Sequence, residues 1–281
     1  MQKVVVVTGA STGIGYDAVK TLAENSFLVI ATVRKEADRQ NLLKNFPKNV
    51  KVVLLDVQHF TEVEKLPQIL LNEFGITEVF GLVNNAGVAH AGPFAYQKFS
   101  DISDVIGINV LSLMKVTQVL LPMMGLETGA PGRIVNISSI AGRVSTPFLS
   151  VYAASKHAVE GLSEGLRQEL YIKNIKVSVV GPGSIKTPIW EKGFERIKDS
   201  YNHTLYAESF QRFVKFGLKQ VDTALEPSAV SECILHALTA ENPKYRYEPI
   251  PQKWFNWYLP KLVPRKYFDR IVVKTLKLLP K

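Results

Sequence analysis

Six short runs of almost continuous valine, isoleucine and leucine recur along the first two thirds of the chain. They cover residues 4–9, 27–33, 50–57, 79–87, 133–139 and 175–183. A strand covered on both faces needs apolar side chains at successive positions, whereas a half-exposed strand alternates apolar and polar residues. The runs therefore predict buried strands of a parallel sheet.

Amphipathic helical patterns separate these runs. They cover residues 13–25, 36–45, 61–74, 101–124 and 151–173. Alternating strands and helices form βαβ units with right-handed crossovers. We therefore predict an α/β fold with a single Rossmann-like, doubly wound parallel sheet. It has about seven strands in the order 3-2-1-4-5-6-7, with helices on both faces.

Polar and glycine-rich residues follow the predicted strands. The strand ends read TGASTGIG, D, NNAG, SS and GPG. Because ligands of such sheets bind beyond the carboxyl ends of the strands, these residues predict a binding site at one edge. We assign residues 1–250 to one dinucleotide-binding catalytic domain, with a substrate-loop segment at 189–227, and residues 251–281 to a C-terminal tail.

Composition indicates a soluble globular protein, because 46% of the residues are hydrophobic and 21% are charged. The single cysteine, Cys233, cannot form an internal disulfide, which favours a reducing compartment. The start MQKVVVVTG leaves no room for a signal peptide, so we expect a cytoplasmic protein. The long apolar pattern from Val105 to Leu126 is interrupted by polar residues such as Asn109 and Lys115, so we predict no membrane span.

The net charge of +9 is concentrated in the tail. Residues 244–281 contain ten lysines and arginines against two acidic residues. A protein that binds nucleic acid over its whole surface distributes its basic residues differently, so we predict no nucleic-acid partner.

The tail also has an amphipathic pattern. Phe268, Ile271, Val272, Thr275 and Leu279 fall on one side of a predicted helix, with basic residues elsewhere around it. One interpretation is a helix docked on the domain or on a second subunit. The other is an interfacial helix that contacts a membrane peripherally and delivers a lipid-soluble substrate.

The turn after the first strand has the pattern G-x-x-x-G-x-G, with Gly9, Gly13 and Gly15. Glycines at a strand-to-helix turn let a pyrophosphate approach the backbone and the free N–H groups of the helix N-terminus. Such turns also occur for purely steric reasons, so the turn alone does not establish a nucleotide site.

Tyr152 and Lys156 are four residues apart in a helical pattern, so their side chains leave the same face. A phenol with a pKa of about 10 is a poor proton donor or base near neutrality. A cation about 4 Å away at an effective dielectric of about 20 contributes about 4 kcal/mol, or roughly three pKa units. Desolvation acts in the opposite direction. We expect the lysine to bring the pKa of Tyr152 toward working pH.

These motifs together resemble those of the short-chain dehydrogenase/reductase family over about residues 2–250. The matching pieces, in order, are TGASTGIG (8–15), Asp56, NNAG (84–87), Asn109, Ser139, Tyr152 and Lys156 in YAASK, and the Pro-Gly pair followed by Thr187 (182–187). Its aromatic segment and its tail resemble those of the steroid-, retinoid- and lipid-acting NADP(H)-dependent members of the family.

The resemblance implies a catalytic set. Tyr152 is implied as the general acid/base and Lys156 as its partner that also holds the nicotinamide ribose. Ser139, thirteen residues before the tyrosine and preferred to Ser138 for that spacing, is implied to hydrogen-bond the substrate carbonyl. Asn109 is implied to hold a water of the proton relay; the alternative is a buried polar residue satisfied by its own backbone. We predict no metal site.

The cofactor-binding residues are inferred from the same motifs. They are Gly9, Ser11, Thr12, Gly13, Ile14, Gly15, Arg34, Asp56, Val57, Asn85, Ala86, Gly87, Tyr152, Lys156, Pro182, Gly183, Ile185 and Thr187. The second strand ends in Val33 and Arg34, without the acidic residue that accepts the ribose 2′-OH of NAD. A guanidinium suits a 2′-phosphate, so we predict NADP(H) rather than NAD(H). Thr12 departs from this prediction, because many NADP-dependent members carry a basic residue there.

We therefore predict an oxidoreductase that interconverts a secondary alcohol and a ketone on a bulky apolar substrate. The aromatic residues of segment 189–227 indicate either a surface helix packed on the sheet or a lid over an apolar ligand. A reductase of sugars or small polar carbonyls and a non-catalytic dinucleotide-binding regulator are the alternatives. The resemblance also implies a homodimer or homotetramer built on the helices at 101–124 and 151–173.

Overall fold

The computed structural model describes residues 2–46, 48–187, 197, 199–258 and 262–279. Within them, a parallel sheet has the strand order β3-β2-β1-β4-β5-β6-β7, which confirms the predicted fold. Strands β1 to β7 are Val4–Val7, Leu28–Val33, Val50–Leu54, Gly81–Asn84, Gly132–Ile137, Ile175–Val180 and Arg246–Tyr247.

Helices cover both faces of the sheet. Helices α1 to α10 are Gly13–Glu24, Glu36–Asn45, Phe60–Val63, Leu66–Phe74, Phe99–Ile106, Ser112–Leu120, Ser150–Glu169, Ala207–Asp222, Ser228–Thr239 and Arg265–Thr275. Two predicted helices are interrupted. The one at 61–74 is divided into α3 and α4, with Pro67 in the first turn of α4, where its missing N–H costs nothing. The one at 101–124 contains a π-helical turn, Gly107–Leu111, between α5 and α6 and ends in a 3-10 turn, Leu121–Met124.

Successive valines of β1 point to opposite faces of the sheet and enter two different cores. Val5 and Val7 pack with residues of α1 and α9, whereas Val6 packs with residues of α4 and α6. All three are fully buried. The continuous apolar run of β1 is explained by this two-sided burial.

The long helical segment Phe99–Met124 is apolar and long enough to cross a membrane by length and composition. Half of its most apolar window is buried inside the protein, and Val116 and Leu120 belong to the core between the sheet and α4. A core helix of a soluble protein can have the same length and composition, so these two properties do not show that the segment crosses a membrane.

A third apolar cluster lies apart from the two cores of the sheet. It joins Phe148 to Phe210 and Phe213 of α8 and to Leu276, directly after α10. The tail helix is therefore packed on the rest of the chain, as one of the two interpretations of its amphipathic pattern predicts.

Candidate active site

The turn between β1 and α1 has a backbone that favours glycine. Gly9 and Gly13 have positive φ angles of 67° and 58°. A Cβ atom on Gly15 would lie 2.3 Å from the carbonyl oxygen of Gly9, so a side chain there would break the turn. These constraints hold the chain in a tight loop at the carboxyl edge of the sheet.

The end of β4 is locked to the end of β1. The Asn85 amide donates to the carbonyl oxygens of Thr8 and Gly9, both at 2.9 Å. In return, the Thr8 hydroxyl accepts from the backbone N–H groups of Asn85 at 3.0 Å and Ala86 at 3.1 Å. These hydrogen bonds hold the NNAG motif directly against the glycine turn.

The N-terminus of α1 opens into the cleft beside this turn. Thr12 precedes the helix and makes no side-chain capping bond, and the first turn has no acidic residue. Free backbone N–H groups and the positive end of the helix dipole together favour a phosphate. The donor set therefore fits the pyrophosphate of a dinucleotide.

Each residue predicted to bind the cofactor lines this one cleft, from Arg34 and Asp56 at one end to Tyr152 and Lys156 at the other. Prediction from sequence missed further cleft residues that adjoin the motifs: Thr32, Val33, Leu55, Val88, Ala89, Ile108, Ile137 and Ser138. Among the described residues, no group of three or more His, Cys, Asp or Glu side chains is arranged to hold a metal ion.

Tyr152 and Lys156 leave the same side of α7, and Ser139 approaches them from the end of β5. The Lys156 ammonium lies 5.8 Å from the centre of the Tyr152 ring and donates to the Ile137 carbonyl oxygen at 2.9 Å. Tyr152 is hydrogen-bonded to the Ser139 side chain. The neighbouring Ser138 instead directs its hydroxyl to the Lys156 carbonyl oxygen.

Burial dominates the acid-base properties of this pair. Desolvation raises the pKa of Tyr152 to about 12, although the hydrogen bond to Ser139 acts to lower it. Desolvation also lowers the pKa of Lys156 to about 8, and the nearby carboxylate of Glu160 opposes this change. The expectation of a Tyr152 pKa near working pH is therefore wrong for the protein alone, because the cost of burying the phenolate exceeds the stabilisation by the Ser139 hydrogen bond.

Asn109 lies in the π-helical turn and is only 1% exposed. Its amide oxygen accepts from the Val88 N–H at 2.8 Å, and its amide nitrogen donates to the Val88 carbonyl at 2.9 Å and to the Ser155 hydroxyl at 3.0 Å. These partners lie outside its own helix, so the alternative of a residue satisfied by its own backbone is wrong. The side chain connects the segment after NNAG to α7.

A second, apolar cavity of about 500 Å³ adjoins the cleft. Ser139, Tyr152, Gly183 and Ile185 line both spaces. The other residues of the cavity wall are Ile140, Ala141, Val144, Thr146, Pro147, Leu149, Ser184, Phe213, Phe216, Gly217, Gln220, Val221, Ala224, Phe268, Ile271, Val272, Thr275 and Leu276.

The tail helix forms part of this cavity wall through Phe268, Ile271, Val272 and Thr275. Leu279, which was predicted on the same apolar side, is 57% exposed and lies beyond the end of α10. The helix ends at Thr275, and Leu276 takes the buried position instead.

Aromatic rings of the predicted substrate-loop segment surround Phe148. The rings of Tyr206, Phe210 and Phe213 have their centres 5.3 to 6.0 Å from that of Phe148. Trp190 and Phe194 of the same segment lie outside the described residues. Phe148 has a positive φ of 68°, a strained conformation for a bulky residue that these contacts help to maintain.

Comparison with known proteins agrees with this arrangement. The model of the short chain dehydrogenase family matches residues 3–198. The chain belongs to the short-chain dehydrogenase family. It is therefore an oxidoreductase of that family, with a Rossmann-like site for a nucleotide cofactor.

Individual relatives differ in cofactor and substrate. An NADPH-dependent 3-dehydrocapnine reductase from Ornithobacterium rhinotracheale is 32% identical over 274 residues, which cover 97% of this chain and 96% of the relative. A 17-beta-hydroxysteroid dehydrogenase type 6 from Rattus norvegicus is 34% identical over 258 residues, or 87% of this chain and 80% of the relative. A short-chain dehydrogenase structure from Burkholderia phymatum in complex with NAD has a TM-score of 0.76 at 25% identity, covering 90% of each chain.

Proposed function

We propose that this protein is an NADP(H)-dependent oxidoreductase that interconverts a secondary alcohol and a ketone on a bulky apolar substrate. The observation that carries the proposal is the position of Ser139 and Tyr152, which line both the nucleotide cleft and the apolar cavity. A carbonyl group held between these two spaces contacts both hydroxyl groups. The rest of the substrate then occupies the cavity.

The bound nicotinamide supplies a hydride to the carbonyl carbon, or takes one from the alcohol. Tyr152 supplies the proton that the carbonyl oxygen needs in the reductive direction. The Tyr152 phenol is protonated at neutral pH, which is the form that donates. Burial raises its pKa to about 12 and makes it a weaker acid, and the hydrogen bond to Ser139 acts against that change. Ser139 supports the same oxygen, since its Oγ is already oriented by the Ala141 N–H at 3.1 Å.

The proposed preference for NADP(H) rests on Arg34, because one relative is NADPH-dependent whereas a similar structure contains bound NAD. Arg34 lines the cleft directly after β2, and its side chain is exposed there. A planar guanidinium binds a phosphate by two parallel hydrogen bonds, whereas NAD recognition needs a carboxylate at this place.

The cavity supports an apolar substrate over a sugar or a small polar carbonyl. Its polar side chains are few: Ser139, Thr146, Tyr152, Ser184, Gln220 and Thr275. A sugar would leave most of its hydroxyl groups without hydrogen-bond partners in such a space, at a cost of about 1–3 kcal/mol for each buried group.

The test is NADPH oxidation, followed by absorbance, with steroid, retinoid, long-chain acyl and sugar carbonyls at equal concentrations. We expect turnover with one or more of the apolar carbonyls and none with the sugars. Turnover of sugars alone would contradict the substrate proposal, and NADPH binding without any turnover would favour the non-catalytic alternative.

Peripheral membrane contact is a further part of the proposal. One side of α10 lines the cavity, while Lys266, Arg270 and Lys274 are exposed and Tyr267 is 55% exposed. Basic residues with an aromatic ring suit an anionic lipid surface beside the cavity. Vesicles with phosphatidylserine should sediment the wild type but not the Lys266→Glu/Arg270→Glu variant; equal soluble fractions would contradict the contact.

Two helices also have exposed apolar residues that support a homodimer or homotetramer. Leu111 and Met114 are 46% and 39% exposed on the long helical segment, and Tyr171 and Ile172 are more than 80% exposed after α7. Light scattering should therefore give a multiple of the chain mass, and a lower mass for Met114→Lys. A monomeric wild type would contradict this proposal.

A further inference from the structure

A buried ion network lies behind the catalytic residues, centred on Arg246 of β7. The Arg246 and Glu160 side chains are both 7% exposed. The guanidinium donates through Nε and Nη2 to the Glu160 carboxylate at 3.1 to 3.3 Å and through Nη1 to Glu248 at 2.7 Å. The same Nη2 donates to the backbone carbonyl oxygen of Ser139 at 3.4 Å.

This network joins α7, which carries Tyr152 and Lys156, to the segment after β5 that carries Ser139. Glu160 lies four residues after Lys156 on α7, and Ser139 lies two residues after the last residue of β5. One guanidinium therefore connects the Ser139 peptide to the catalytic helix. The Ser139 carbonyl is held from its other side by the N–H of Gly142 at 3.0 Å.

The surroundings of Arg246 leave little room for another arrangement. A Cβ atom on Gly181 would lie 2.2 Å from its Nη2, and the Trp257 ring centre lies 5.0 Å from its Cζ. A rigid fork with five N–H donors can reach three acceptors at once, whereas a lysine has a single nitrogen. The geometry therefore requires arginine rather than positive charge alone.

We propose that Arg246 is a positioning residue that fixes the Ser139 peptide against the helix carrying Tyr152 and Lys156. The proposal rests on the function proposed above, because it gives Ser139 and Tyr152 their roles. It predicts that losing Arg246 misplaces the Ser139 hydroxyl while leaving the distant cofactor-binding turn intact.

Arg143 provides a matched control. Its guanidinium also pairs with the Glu160 carboxylate, at 3.2 Å, but it is 49% exposed and lines neither the cleft nor the cavity. Arg143→Met removes one of the ion pairs of Glu160, as Arg246→Met does. Only the second variant also removes the bond to the Ser139 carbonyl.

The experiment compares kcat, the KM for the ketone, the Kd for NADPH and Tm in Arg246→Lys, Arg246→Met and Arg143→Met. A misplacement of about 1 Å can reduce turnover about 100-fold, so we expect kcat to fall by about 10- to 100-fold in both Arg246 variants. The Kd for NADPH should stay near that of the wild type. Arg246→Lys should have a higher Tm than Arg246→Met, because the lysine can still pair with Glu160, but its kcat should stay low. Arg143→Met should keep the kcat and the Tm of the wild type.

A purely structural role predicts the opposite pattern, with Tm lowered and kcat per folded molecule unchanged, and would overturn the proposal. Crystal structures of the wild type and of Arg246→Lys keep this test separate from the proposed function. A displaced Ser139 supports positioning even if the wild type reduces no ketone in the panel. An unmoved Ser139 with normal kcat overturns it.

Discussion

Gly9 offers a sharp test of the nucleotide cleft. Its φ of 67° disfavours any side chain, and a Cβ atom would lie 2.8 Å from the Cα of Ala86 and 3.1 Å from its backbone nitrogen. Backbone atoms cannot move aside as a flexible side chain can. Gly9→Ala must therefore separate the glycine turn from the NNAG wall.

Gly75 is the matched control, because it has almost the same φ of 68° but no atom within 4 Å of its Cβ position. An alanine at either position costs about 1–2 kcal/mol of conformational strain. Only Gly9→Ala adds the steric displacement of the cleft. The comparison thus isolates the effect of the cleft from the backbone effect.

We expect Gly75→Ala to lower the free energy of unfolding in urea by about 1 kcal/mol and to keep the Kd for NADPH nearly unchanged. Gly9→Ala should weaken NADPH binding by about 30-fold or more, equivalent to about 2 kcal/mol. Fluorescence titration with NADPH measures the Kd of each variant. Equal Kd values for the two variants would refute the placement of the pyrophosphate beside Gly9.

Three further predictions follow from the site. Arg34→Asp should reverse the ratio of kcat/KM for NADPH and NADH; a wild type that already prefers NADH would contradict the role of Arg34. The Lys156 pKa of about 8 includes the raising effect of the Glu160 carboxylate, so Glu160→Gln should lower this pKa further, and the loss of activity with rising pH should begin at lower pH; an unmoved alkaline limb would contradict a role for the lysine cation. Ile271→Asp should raise the KM for an apolar ketone, because Ile271 lines the cavity. Leu279→Asp is the control, since Leu279 is 57% exposed, close to the 56% of Ile271, but lies outside the cavity and should leave the KM unchanged. Equal effects of the two substitutions would contradict the role of the tail as a cavity wall.

The six strands and most of the cleft residues could be identified from the sequence, because their motifs directly follow continuous apolar runs; Tyr152 and Lys156 were identified instead from their four-residue spacing in a helical pattern. The parallel sheet then brings those ends together whatever the details of the helices. The seventh strand of the predicted order was not located in the sequence, since its two residues, Arg246 and Tyr247, contain no apolar run and lie in the basic segment 244–281.

Segment 189–227 and the tail were each considered as walls or access routes for an apolar ligand, but the complete lining of the cavity and the ion network could not be predicted, because their residues come from distant parts of the chain. The cavity joins segments near Val144, Phe213 and Phe268, which share no periodicity. Arg246 contributed only to the net charge of the tail, although it is buried and paired. The pKa of Tyr152 was misjudged for the same reason, since spacing gives proximity to a charge but no measure of burial.

Hydride transfer with proton donation by Tyr152 can be measured directly with NADPH deuterated at C4 and a bulky apolar ketone, in the wild type and in Tyr152→Phe. We predict that the wild type transfers the label to the carbonyl carbon. The variant should bind NADPH normally but react at least about 100-fold more slowly. Undiminished transfer by Tyr152→Phe, or no transfer by the wild type to any ketone of the panel, would contradict the account.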